Sequence, residues 1–360
     1  MSTTQQGPSG PTIVQVAQAA GVSRQTVSNA LNAPHRLRPG TLARVMAAID
    51  ELGYVPNLMA RSLRTRYTRQ IGYLLDGGGR DPDSVVQDEF LQALCEAAEA
   101  EGYLLLLFNY PAGDVETTRW AGLLRTGSVD GFVLRARPDD PRPDLLSRRR
   151  APFVSFGRPP RAGGASGAEA GSGTEEAGTD AAAGPLWVDV DLSAGAEAAV
   201  DHLVAAGHRH IAFLGRSPGS AERDEPRLAG WRRAMRKHGL PADACDWAPS
   251  TCQDGARGAL RLLSAQPAPT AVVAADDMLA MGCYAAAGRL GLAVGRELAV
   301  IGFGDSPIAS RVTPTLTSVG RPLAHIGEAV MRLLATTLSG RVPEERGVLL
   351  APSVTVRESG

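Results

Sequence analysis

The rhythm of apolar positions along this chain changes near residue 70. Before that point apolar residues recur every three or four positions, the period of a helix. Ile13, Val16, Ala17 and Ala20 form one such set, and Val27, Ala30 and Leu31 a second. Leu42, Val45, Met46, Ile49 and Leu52 form a third, and all of these are expected to face a core. Three helices are predicted. Thr12 and Gln15 make a capping box ahead of the first, which Gly21 ends. Ser23 is a good N-cap for the second, and Val22 and Val27 are spaced as a hydrophobic staple. Pro39 opens the third, at 39–52, and Gly53 stops it. Beyond residue 70, short apolar runs alternate with amphipathic windows. Strands are expected at 70–76, 103–108, 130–134, 152–156, 210–215, 270–275 and 298–303. Helical windows lie at 90–101, 194–206, 227–238, 277–290 and 323–338. That alternation predicts an α/β fold with parallel sheets, and the number of units predicts two sheets side by side.

The second helix has a polar face. At about 100° per residue, Arg24, Gln25, Ser28 and Asn29 fall opposite its apolar set. Helix, tight turn and a second helix opening on such side chains suit a reader of the DNA major groove. Arginine fits guanine, and glutamine or asparagine fits adenine. After the third helix, Asn57 caps about two helical turns ending at Leu63 and Arg64, too short to persist alone in water. A leucine among arginines suits a wedge into a minor groove; a flexible basic linker is the plainer alternative. The residues assigned to DNA are therefore Thr12, Ser23, Arg24, Gln25, Thr26, Ser28 and Asn29, then Asn57, Arg61, Ser62, Leu63 and Arg64.

Charge agrees with a polyanion partner for this part only. The chain carries −1 overall, yet residues 1–70 hold eight arginines against Asp50 and Glu51, giving +6 and leaving −7 elsewhere. With 360 residues, 44% hydrophobic and 21% charged, the chain is of ordinary globular composition and long enough for two or three domains. No apolar run approaches a membrane span and no signal-peptide order opens the chain, so a cytoplasmic location is expected. The four cysteines form no CxxC and read as reduced thiols. No cofactor is expected. His208 and His210 lack the further ligands of a metal site. Neither "GGGRDP" nor "GFGDSP" is a dinucleotide fingerprint, and no Walker A or GxSxG sequence occurs, so an enzyme is not expected.

The sequence resembles the lactose/galactose repressor (LacI/GalR) family. The resemblance rests on "TIVQVAQAAGVSRQTVSNALN", "AAIDELGYVPNLMARSL" and "RQIGYLL". It continues through "VDGFVL", "PFVSFGRP", "WVDVD", "HLVAAGHRHIAFLG", "RLAGWRRAM", "AADDMLAMG", "LAVIGFGD", "TLTSV" and "VTVRES". The motifs run in order over nearly the whole chain. The resemblance implies a disordered tail (1–11), a helix–turn–helix head (12–56), and a hinge helix and linker (57–69). A two-lobed, periplasmic-binding-protein-like body (70–360) would follow; within it the composition of residues 161–184 reads as a disordered insertion. The resemblance further implies a regulator, expected to be a repressor, that binds a pseudo-palindromic double-stranded operator as a homodimer. A small-molecule effector, expected to be a sugar, would bind between the lobes. The alternative is a solute-sensing or sugar-processing protein whose basic head is only an interaction module.

Ligands of open α/β sheets sit beyond the carboxyl ends of strands. That places Asp76, Arg135, Arg137, Arg158, Asp276 and Asp305 among the candidates for the effector. By resemblance, Arg227 in "RLAGW" matches the arginine that holds effector, and Asp276 the polar residue ahead of the next helix. A guanidinium opposite carboxylates suits vicinal hydroxyls. The chain departs from the family pattern at Gly304 and Gly157, where relatives often place an Asp, and in the small-residue acidic tract 161–184.

Overall fold

The computed structural model describes residues 11–55, 67–75, 84–109, 118–136, 140–158, 184–217 and 226–360. The chain divides into two compact units between Thr68 and Arg69. The expectations for 1–10, 57–66 and 161–183, and for Asp76 and Arg137, lie outside the described residues.

The first unit is built on α1 (Ile13–Ala19), α2 (Arg24–Asn32) and α3 (Pro39–Leu52). Thr12 caps α1 reciprocally: its backbone N–H donates to Gln15 Oε1 at 2.7 Å, and Gln15 N–H donates to Thr12 Oγ1 at 3.4 Å. Ser23 Oγ accepts the Thr26 N–H at 3.1 Å and so starts α2. Val16, Ala17, Ala20, Val27, Ala30, Val45, Ala48 and Ile49 make the core, with Val22 and Leu42 packed on it. Two predicted core residues of α3 lie outside it: Met46 is 38% and Leu52 36% exposed. Ala48 and Ile49 hold the inner face, while Met46 is turned to its flank. Leu52 is the last residue of α3; there Gly53 takes φ 60° and the chain reverses, so that Tyr54 packs on the core.

The second unit has two six-stranded sheets. The first comprises β1 (Gln70–Leu75), β2 (Leu104–Asn109), β3 (Gly131–Arg135), β4 (Phe153–Phe156), β5 (Leu186–Val190) and β11 (Gly347–Leu350). Its order is β11-β5-β4-β3-β1-β2, all parallel. The second comprises β6 (Ile211–Arg216), β7 (Cys245–Ala248), β8 (Ala271–Ala274), β9 (Ala299–Gly304), β10 (Thr317–Gly320) and β12 (Ser353–Thr355). Its order is β12-β10-β9-β8-β6-β7, with only β12 antiparallel to its neighbour. The intervening helices are α4 (Ser84–Ala100), α5 (Thr118–Arg125), α6 (Arg142–Arg148), α7 (Leu192–Ala205) and α8 (Pro226–Lys237). They continue with α9 (Cys252–Leu263), α10 (Asp277–Leu290) and α11 (Leu323–Leu338).

The chain passes between the two sheets three times: from β5 to α7, from β10 to α11, and from β11 to β12. The cores confirm the crossings. Ala196, Ala199, Val200 and Leu203 of α7 pack with the second sheet around Phe213 and Trp231. Ile326, Val330 and Leu334 of α11 pack with the first around Ile71, Val133 and Val154. The four cysteines are free thiols, and burial pushes that of Cys283 up to about 12. Among the described residues no helix is long and apolar enough to cross a membrane.

Candidate DNA interface and effector site

The polar face of α2 forms as expected. Arg24 and Gln25 are exposed, and Ser28 and Asn29 are half-buried beside them. Gln25 Nε2 donates to Asn29 Oδ1 at 3.0 Å, so two amide side chains one turn apart are presented as a unit. Ser23 and Thr26 share a hydroxyl hydrogen bond of 2.9 Å, and Thr12 serves its cap. These three hydroxyl side chains hold the helix starts. Arg24, Gln25 and Asn29 have the chemistry of base readers.

In the body, the candidates lie at strand ends. Arg135 is the last residue of β3 and half-buried. Arg158 follows β4; its N–H donates to Asp189 Oδ2 at 3.0 Å and its guanidinium lies 4.4 Å from the Trp187 ring centre. Arg227, in the first turn of α8, lies 5.3 Å from the Phe303 ring centre. Asp276 caps α10, accepting the Leu279 N–H on Oδ1 at 2.8 Å. Its Oδ2 accepts the Ser250 hydroxyl at 2.5 Å and lies 3.6 Å from Arg216 Nε. Asp305, at φ 50°, accepts from Thr355 Oγ1 at 2.8 Å and pairs with Arg357 Nη1 at 2.7 Å. The buried Asp277 accepts from Ser306 N–H and Oγ, both at 2.7 Å, and from Ser318 Oγ at 2.6 Å; desolvation nevertheless raises its pKa.

Arg216, Ser250, Glu89, Phe303 and Trp187 do not stand out in the sequence. Arg216 ends β6 as Arg135 ends β3, so the same rule would have found it. Ser250 follows β7, a strand not predicted. Glu89 lies on α4 of the first lobe. Burial and then the charge of Asp305 push its carboxyl up, while Arg321 lowers it, so these groups approach each other across the two lobes. Gly157 and Gly304 take φ 93° and 121°. Among the described residues no cluster of His, Cys, Asp and Glu could hold a metal ion.

Comparison with known proteins accounts for both units. The pattern of the bacterial regulatory proteins, lacI family, matches residues 12–57. That of a periplasmic binding protein-like domain matches 200–360. The HTH-type transcriptional regulator CelR of Thermobifida fusca is 30% identical over 97% of this chain and 98% of its own. The chain belongs to the LacI family. It is a DNA-binding transcriptional regulator with a ligand-binding body, not an enzyme. The HTH-type transcriptional repressor PurR of Erwinia tasmaniensis is 28% identical, over 97% of this chain and 96% of its own. Among solved structures, a complex of the transcriptional regulator CelR with cellobiose aligns over 97% of this chain and 100% of that one. Its identity is 29% and its TM-score 0.66.

Proposed function

We propose that this LacI-family regulator is a repressor that binds a pseudo-palindromic operator as a homodimer in the cytoplasm, and that a sugar or sugar derivative bound between its lobes controls operator affinity. The observation that carries this reading is the placement of Arg227 and Asp276. Each stands at the start of a helix entered from the carboxyl edge of the second sheet, Arg227 against Phe303 and Asp276 against Ser250 and Arg216. The similarity to a regulator solved with cellobiose supports the sugar, and the similarity to PurR supports repression.

A ligand bridging two lobes changes DNA affinity only through different affinities for two lobe arrangements. Coupling of about 1–3 kcal/mol corresponds to a several-fold to hundred-fold change in operator affinity. The test is an operator titration with and without effector, on wild type and Arg227→Ala. The ratio of the two operator Kd values should collapse to one in the variant. An unchanged ratio removes Arg227 from the site.

A further inference from the structure

We propose that Gly195 is the pivot on which the two lobes of the body turn, and that its bare Cα ties the lobe angle to the effector site. This rests on the reading above, which needs two lobe arrangements, and supplies the residue that sets them. Gly195 is buried in the first turn of α7, just after the chain enters the second lobe from β5. A Cβ there would stand 2.9 Å from Val319 Cγ1, 3.0 Å from Pro352 Cγ and 3.2 Å from the Phe303 ring. Val319 is the last residue but one of β10, and Pro352 lies between β11 and β12. The three crossings between the lobes therefore converge on one glycine. Backbone hydrogen bonds join them beside it. Asp191 N–H donates to the Leu350 carbonyl at 2.9 Å, tying the first crossing to the third. Gly320 pairs with Ser353 in the antiparallel ladder of β10 and β12, tying the second to the third. The Asp191 carbonyl also accepts the Gly195 N–H at 3.1 Å, which anchors the glycine to the crossings themselves. Segments bound in this way turn as one strap, and the strap passes α7 at Gly195.

The third neighbour faces the effector candidates. The Phe303 ring has the Arg227 guanidinium 5.3 Å from its centre. The helix that carries Arg227, α8, is fastened to the same turn of α7. Arg233 donates to Ser193 Oγ at 2.8 Å and to Glu197 Oε1 at 2.7 Å, and Gly230 packs on the Ser193 carbonyl. Displacement of Arg227 or of α8 by a ligand therefore bears on Gly195 through Phe303 and Ser193, and Gly195 has no side chain to absorb the movement. A methyl group at Gly195 would meet stiff neighbours, since Val319 is β-branched and Pro352 is a ring. Carbon atoms rest about 3.5–4.0 Å apart, so the strap has to shift by about 0.5–1 Å to admit it. The shift falls on the crossings, where a small displacement becomes a rotation of one lobe against the other.

The test is pulsed electron spin resonance on the full-length protein, without any effector. Nitroxide labels at Glu101→Cys in the first lobe and Arg289→Cys in the second, both exposed positions, report the lobe separation. Cys95, Cys245 and Cys252 are replaced by Ser; the buried Cys283, its thiol pushed up to about 12, stays unlabelled. Labelled chains are diluted with unlabelled ones so that only distances within a chain are read. Gly195→Ala should displace the distance distribution and change the Kd for a selected operator at least about fivefold, the lower end of typical coupling. Gly258→Ala is the control, because its methyl presses on Leu214 inside the second lobe, away from the crossings. It should lower the unfolding midpoint and leave both readings unchanged. Adding Pro352→Ala to Gly195→Ala should restore the wild-type distribution, and Pro352→Ala alone, which adds no bulk, should broaden it. Circular dichroism reports the fold, and if Gly195→Ala fails to fold, Pro352→Ala alone decides. Wild-type distributions in Gly195→Ala and Pro352→Ala overturn the pivot. So does rescue by Val319→Ala instead of Pro352→Ala, which would confine the strain to the second lobe, or an equal displacement in Gly258→Ala. A displaced distribution at unchanged operator Kd keeps the pivot and overturns control of DNA binding by lobe arrangement.

Discussion

At the start of α2 the side chains divide between holding the helix and presenting donors. Ser23 and Thr26 bond to each other and to the first turn, whereas Arg24 is exposed and Gln25 is braced by Asn29. Arg24→Ala and Gln25→Ala should each cost about 1–3 kcal/mol on the cognate site and relax base preference at the position read. Binding-site selection checks this, and a wild-type consensus at wild-type affinity would remove the residue from readout. This face was legible in the sequence because helical period alone assigns it. The engagement of Asp305 was not. Its position after an apolar strand marked it as a ligand candidate, but its partners Thr355 and Arg357 come from the last strand and the segment after it.

At the scale of elements, close helix contact sets the tightest constraint. A Cβ on Gly230 of α8 would collide with the Ser193 carbonyl of α7. Gly230→Ala should destabilise the body by about 1–3 kcal/mol through overpacking. A methyl group added to Gly288 of α10 would meet nothing within 4 Å, and the backbone there is ordinary helix. Gly288→Ala should therefore leave stability unchanged or raise it by about 0.5–1 kcal/mol. Thermal or urea unfolding of the two variants measures both. The proposed hinge helix and linker, 57–69, makes a different prediction. If Leu63 enters a minor groove, Leu63→Ser should weaken operator binding far more than binding to random DNA. Equal loss on both would assign the segment a general electrostatic role.

For the whole molecule, the proposed homodimer has a candidate contact at one edge of the first sheet. β2 is its terminal strand, and Leu104 and Leu107 on it are 57% and 42% exposed. Exposed leucines on an edge strand invite pairing with another chain, and two heads on one pseudo-palindromic site require a second copy of this one. Leu107→Glu should lower dimer content in sedimentation equilibrium and weaken operator binding with it. A dimer indifferent to charge at Leu107 would place the contact elsewhere.

Local rules were enough for much of this architecture. Caps at Thr12 and Ser23, the Pro39 start and the Gly53 stop specify the head, because each acts within one helical turn. The strands seen in the apolar pattern are β1 to β4, β6, β8 and β9; all but the terminal β2 are central, and burial on both faces makes continuous apolar runs. β5, β7, β10, β11 and β12 were not predicted. "CDWA", "TSVG" and "SVT" carry too few apolar residues to show a period, and they become strands because a neighbouring strand supplies hydrogen bonds. Tertiary structure likewise decided that α11 and β11 return to the first sheet and that β12 runs antiparallel in the second. It also decided which strand-end carboxylates are engaged, at Asp276 by Ser250 and Arg216 and at Asp305 by Arg357. Periodicity records only which face of a segment is buried. The identity of the partner is set by contacts between residues far apart in the chain, where no local pattern reaches.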